Sequence, residues 1–177
     1  AWVVRRPFIL PQLTPDKFGY INNRGELAVN YQYDFTGDFN EGLAPVSLNG
    51  KLGYIDTAGS TVIDFLYDRA SNFIDGLARV KRNGLWGFIT QTGDTAITFQ
   101  YDEARDFCDD LVLVKKDDKW KFIDINGTEI LDVEYEDVQF FSEGLAVIKK
   151  DGFFGYIDKK GKIVITPKFT TANPFQN

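Results

Sequence analysis

Carboxylates at fixed spacing are the first candidates for chemistry in this chain. Asp56, Asp124 and Asp158 recur, as do Asp34, Asp68, Asp102 and Glu136. Two acids perform general acid–base work only when different surroundings keep one protonated and the other ionised. These residues occupy equivalent places in equivalent segments, so equivalent surroundings are expected, and turn capping by Asp accounts for the first set. No catalytic residue, metal ligand or cofactor site is therefore assigned. Histidine is absent from the 177 residues, which removes Ser-His and Cys-His nucleophiles and every zinc site that needs imidazole. Cys108 lies among Asp106, Asp109 and Asp110, which oppose ionisation of its thiol, so it reads as an inert spectator. Asp124-Ile125-Asn126-Gly127 matches the start of a calcium loop, but the further oxygen ligands and the closing bidentate glutamate do not follow.

Basic and aromatic columns are the candidates for binding. Lys81-Arg82, Lys115-Lys116 and Lys149-Lys150 fall at the ends of successive strand-like runs, and stacking would align them as a stripe for an acidic protein or a polyanionic glycan. The plainer reading, which the neighbouring Asp117, Asp118 and Asp151 favour, is a set of solvated hairpin ends paired with acids. Trp86, Trp120, Tyr54, Phe88, Phe122 and Tyr156 form a second column. A ladder that stacks sugars or bases would look like this, yet large aromatics at one offset are also what an interlocking interior between units requires, and core is the preferred reading.

The balance of 20 Lys+Arg against 26 Asp+Glu gives a net charge of −6, which argues against a sequence-independent grip on nucleic acid. No apolar run approaches the roughly 18 residues of a membrane span. A lone cysteine makes no intramolecular disulfide. The absence of methionine, position 1 included, predicts that Ala1 is not a translation start. With 16 Phe, 8 Tyr and 3 Trp, the composition favours strands over helices.

What must position these side chains is a repeat of 34 residues. Gly19-Tyr20-Ile21, Gly53-Tyr54-Ile55, Gly87-Phe88-Ile89, Lys121-Phe122-Ile123 and Gly155-Tyr156-Ile157 each start 34 after the last, without insertion or deletion. Turn glycines (Gly25, Gly59, Gly93, Gly127, Gly161) and two aromatic columns (Tyr33 to Phe169, Phe39 to Phe175) keep the same step, as does an opening of the Gly42-Leu43-Ala44 type. Phased on that opening, the array comprises residues 8–41, 42–75, 76–109, 110–143 and 144–177. The first has lost the opening and reads Phe8-Ile9-Leu10-Pro11, as a capping unit should. The last stops where another opening would begin, so the parent protein is expected to continue.

Within a unit, Asn49-Gly50, Asn83-Gly84 and Asp151-Gly152 separate two strand-like runs, and such pairs suit the positive φ of a type I′ hairpin turn; Asp117-Asp118 is the weaker equivalent. Asp56 to Gly59, with its equivalents, suits a type I turn closed by a left-handed glycine. Each unit is thus expected to be a three-stranded antiparallel meander, followed by a loop or single helical turn. Ala78 and Val80, with their equivalents, alternate onto one buried face. So short a meander cannot hide both faces alone, and stacking on neighbours must complete the core. The fold class is all-β, an open solenoid of stacked meanders, with a closed propeller-like ring as the alternative.

These columns resemble the bacterial WG repeat family, whose units read roughly Gly-Lys-Trp-Gly-Tyr-Ile-Asp, a glycine, an aliphatic pair, Tyr-Asp, Phe and Glu-Gly-Leu-Ala. The similarity runs from about Phe8 to Asn177. The naming dipeptide survives at Trp86-Gly87, while Trp120-Lys121 loses the glycine, which questions the local geometry of the fourth unit. The resemblance implies a bacterial protein of the cell envelope or one attached to other domains, secreted or envelope-bound, and carries over no catalytic residue. The function expected is a non-catalytic scaffold for protein–protein or glycan recognition. The alternatives are an envelope polysaccharide hydrolase and a spacer for a separate catalytic domain.

Overall fold

A computed structural model describes residues 2–5, 16–106, 111–133 and 135–174. The Phe8-Ile9-Leu10-Pro11 segment, Phe107, Cys108, Asp109, Asp110 and Phe175 lie outside the described residues. The chain divides into two compact bodies, Ala1–Phe99 and Gln100–Asn177.

Every regular element among the described residues is a strand, as the aromatic and β-branched composition requires. The first sheet is β1 (Trp2–Arg5), β2 (Phe18–Ile21) and β3 (Leu27–Tyr33), in that order. The second is β4 (Phe35–Thr36), β5 (Leu43–Leu48), β6 (Lys51–Asp56) and β7 (Thr61–Tyr67); the third is β8 (Arg69–Ala70), β9 (Leu77–Arg82), β10 (Leu85–Thr90) and β11 (Thr95–Tyr101). The fourth is β12 (Glu103–Ala104), β13 (Leu111–Lys116), β14 (Lys119–Asp124) and β15 (Glu129–Val133). The fifth is β16 (Asp137–Ser142), β17 (Leu145–Lys150), β18 (Phe153–Asp158) and β19 (Ile163–Phe169).

The expected meander of three is present, and a short outer strand joins it. β4, β8, β12 and β16 each follow the third strand of one repeat and pair with the first strand of the next, as Phe35↔Ser47 and Arg69↔Lys81 show. A four-stranded antiparallel sheet is also what a propeller blade has, so strand number gives no preference for an open array. In the first sheet the opening strand comes from Trp2–Arg5, upstream of the phase boundary at Phe8.

Among the described residues no helical turn enters the connection between repeats. Glu41 (φ 50°) and Gly42 (φ 84°) turn the chain between bridged Asn40 and Leu43, and Asp75-Gly76 does the same between Ile74 and Leu77. Positive φ at both central residues is the type I′ signature, here as at Asn49-Gly50, Asn83-Gly84, Asp117-Asp118 and Asp151-Gly152.

Within each body, cores form between consecutive sheets. In the first body, Tyr20, Val29 and Tyr33 of the first sheet pack with Ala44, Val46 and Ile55 of the second. Tyr54, Ile63 and Tyr67 of the second sheet pack in the same way with Phe73, Ala78, Val80 and Ile89. In the second body, Phe122 and Leu131 meet Phe141, Ala146, Ile148 and Ile157. Within each body, one face of a meander is therefore covered by small and β-branched residues of the following repeat, which is the stacking expected of units too small to fold alone.

Candidate functional site

The recurring carboxylates are occupied by backbone. Asp56 Oδ1 accepts from the amides of Ala58 (2.9 Å) and Ser60 (2.8 Å). Asp124 does so from Asn126 and Thr128, and Asp158 from Lys160 and Lys162, at 2.8–2.9 Å. Asn22 accepts likewise from Arg24 and Glu26. Backbone donors, led by Thr128, hold the Asp124 carboxyl below its usual range, because they bond the ionised form. The calcium-like start at Asp124 is thus a turn whose oxygen already faces two N–H groups.

The second acidic set closes the hairpins. Asp34 Oδ2 accepts from the Asn49 amide at 2.9 Å, Asp102 Oδ2 from Asp117 at 3.1 Å, and Glu136 Oε1 from Gly152 at 3.1 Å. Asp68 lies at the Asn83 and Gly84 amides. Lys17 bonds Asp34 and Lys51 bonds Asp68, and these lysines are the leading cause of the lowered pKa of both acids.

Four members of the aromatic column, Tyr54, Phe88, Trp120 and Phe122, are buried as a core reading requires, whereas Trp86 and Tyr156 are half-buried. Tyr54, Phe88 and Phe122 are fully buried, and three rings meet the second column at one distance: Tyr20–Phe39, Tyr54–Phe73 and Phe122–Phe141 are all 4.8 Å between centroids. Tyr20, Tyr54 and Tyr156 donate their hydroxyls to carbonyls 17 residues on, at Gly37, Ser71 and Asn173. Burial raises the Tyr20, Tyr33, Tyr67 and Tyr101 hydroxyl pKa values.

The two members of each basic pair part company within their strand. Strand alternation sends the two members of a pair to opposite faces. Lys81 lies 5.5 Å from the Trp86 ring, Lys115 5.9 Å from Trp120 and Lys149 5.7 Å from Phe154. Arg82 instead lies over Phe99 at 4.3 Å, Lys116 donates to Gln100 Oε1 at 2.9 Å, and Lys150 is exposed. Lys115 is held by Glu103 and Asp118, each at 3.4 Å, with the Asp118 bond the main reason its pKa is raised. Lys149 reaches Glu136 at 3.9 Å.

The glycine of the naming dipeptide answers to a close backbone approach. A Cβ at Gly53 would stand 2.5 Å from the Ile63 carbonyl oxygen, and one at Gly19 2.3 Å from that of Val29. There the third strand bulges: pairing runs Leu52↔Tyr67, Tyr54↔Ile63 and Ile55↔Thr61. At Lys121 the ladder instead runs on through Trp120↔Val133, Lys121↔Asp132 and Phe122↔Leu131. The fourth repeat has lost the bulge beside this position together with the glycine that made room for it, and keeps only the register shift between Phe122 and Ile123.

One feature that the periodic reading missed breaks the period. Between the second and third sheets, Phe35, Ser47, Leu52, Asp68, Arg69 and Ala70 line a cleft of about 300 Å³. Phe35 is 51% exposed beside it. The sequence signal was available: its column reads Phe18, Leu52, Trp86, Trp120, Phe154, and only Leu52 is not aromatic.

Among known proteins, the family model for the WG containing repeat matches residues 18–51, 53–86, 86–120, 122–152 and 154–177. No curated protein matches the chain. Among solved structures it is similar to Kluyveromyces lactis Hsv2p, at 15% identity and a TM-score of 0.48 over 78% of this chain and 51% of that one. It is also similar to the extracellular domain of a one-component system protein from B. thetaiotaomicron, at 11% identity and a TM-score of 0.45 over 82% of this chain and 25% of that one. A Bacteroides caccae protein of unknown function gives 12% identity and a TM-score of 0.36 over 84% and 67%. The chain spans about half the length of the Hsv2 structures, 48% and 51%.

Proposed function

The chain belongs to the WG repeat family, and from that premise we propose that this repeat scaffold is non-catalytic and recognises a protein or glycan partner in the envelope of a bacterium. The observation that supports this reading is the engagement of the recurring acids. Asp56, Asp124 and Asp158 each bond two turn amides, and Asp34, Asp102 and Glu136 each bond a hairpin amide. Acids tied alike in successive repeats lack the contrast of surroundings that acid–base catalysis uses.

Lys81, Arg82, Lys115, Lys116, Lys149 and Lys150 are the contacts proposed for an acidic partner. Each lies at the hairpin end of a first strand, and all but Lys150 are half-buried, with aliphatic stems along the sheet. The test is a glycan array together with capture of acidic protein ligands, using wild type and the double variant Lys115→Glu, Lys116→Glu. Saturable binding by wild type that the double variant loses supports both the recognition and the contacts. Binding kept by the variant eliminates the basic contacts, and release of reducing ends from an envelope polysaccharide contradicts the non-catalytic reading.

A further inference from the structure

Repetition in this chain marks structure, so a departure from it on a well-packed background is where specific recognition is to be sought. The cleft between the second and third sheets is such a departure. Shifting its lining by two repeats, or 68 residues, leads to Glu103, Lys115, Trp120, Glu136, Asp137 and Val138 in the second body. There the space is full. Trp120 is 7% exposed and shares a core with Val138. The Arg105 guanidinium lies 5.1 Å from its ring and also reaches Asp137 at 3.6 Å, while Lys115 lies 5.9 Å from the same ring.

In the cleft the indole is replaced by Leu52 and the lysine by Ser47, two large-to-small changes at adjoining positions. The volume they vacate stays open at about 300 Å³. Its wall is not that of a collapsed core: Phe35, where the other repeats have Arg69, Glu103, Asp137 and Thr171, presents an exposed ring, and Arg69 and Asp68 stand exposed at the rim. An apolar floor with a few polar groups at the mouth is the form of a ligand site, and an aromatic anchor in a pocket is the usual energetic centre of a protein interface.

The geometry points to an aromatic side chain of a polypeptide partner, an indole above all, entering this cleft to take the place that Trp120 fills two repeats later. Phe35 stacks on the incoming ring, Leu52 and Ala70 form the floor, and Arg69 supplies a cation at its edge. This chain's own Trp120 fills the equivalent space with an indole, which favours a peptide side chain over a pyranose. The inference rests on the recognition reading above and names the place and the ligand chemistry.

The experiment titrates the full chain with N-acetyl-L-tryptophanamide, and separately with methyl β-D-glucopyranoside, following backbone amide shifts by NMR. Saturable shifts confined to the neighbourhood of Phe35, Leu52 and Arg69 are expected with the indole. Leu52→Trp fills the cleft from within and should weaken binding at least about tenfold while raising Tm. Phe35→Ala should also weaken binding with Tm unchanged, since its ring lies at the surface. No shift at the cleft, or a Leu52→Trp protein that binds like wild type, overturns the inference. Sugar binding without indole binding overturns the polypeptide assignment. Any of these failures leaves the array and capture result standing, so the two readings fail separately.

Discussion

At Asp68 a lysine and two turn amides bond the ionised carboxyl, and the acid is held below its ordinary pKa by that lysine first. Asp34 is held in the same way by Lys17. A folded-state pKa below the unfolded value of about 3.9 contributes stability that is present above that value and is lost as pH falls through the folded one. Thermal stability should therefore decline below about pH 4, and Asp68→Asn should lower Tm at pH 7 while flattening that acid limb, as scanning calorimetry at several pH values would record. For Lys115 the sign reverses: its raised pKa contributes below the unfolded value and is lost only as alkaline pH passes the folded one. Glycines at this scale separate two causes of intolerance. Gly53→Ala places a Cβ 2.5 Å from the Ile63 carbonyl oxygen and should cost about 1–3 kcal/mol by urea denaturation. Gly42→Ala meets nothing within 4 Å but sits at φ +84°, and should cost about 1–2 kcal/mol from backbone strain alone.

Among the elements, the hairpins show how local sequence sets conformation. Asn49-Gly50 and Asn83-Gly84 could be read directly, because few residues accept two positive φ values in succession. Asp117-Asp118 adopts the same turn with φ values of 51° and 61°. Asp118→Gly should then raise stability by about 0.5 kcal/mol, the relief of left-handed strain exceeding the greater unfolded-state freedom and the lost exposed pair with Lys115; denaturant midpoints would show it. The meander, the buried Ala78 and Val80 face and the capping role of Asp56 were legible for the same reason: turn chemistry and alternation act within a few residues. The short outer strands were not. Phe35–Thr36 and Arg69–Ala70 have no periodicity to read, and their pairing is decided by the first strand of the next repeat. Glu41-Gly42 escaped notice because its bridge spans only Asn40 and Leu43. The direction of the basic pairs was less legible, since alternation within β9 and β13 separates Lys81 from Arg82 and Lys115 from Lys116.

On the scale of the whole molecule, one device is used repeatedly: a meander leaves an aromatic face open, and the next repeat covers it with small and β-branched residues. Such an array gives each conserved step of the period a structural duty and leaves specific recognition to the exceptions, of which the Leu52 cleft is the clearest. Wherever they recur, the acids of both columns serve turns and hairpins alike. Residue-resolved NMR titration of the side-chain carboxyl carbons tests it across the chain at once. Asp34, Asp68 and Asp124 should all titrate below the usual aspartate range. A carboxyl among the recurring acids that titrates near neutrality in one repeat, unlike its equivalents, would contradict the claim and return that residue to consideration as a catalytic acid.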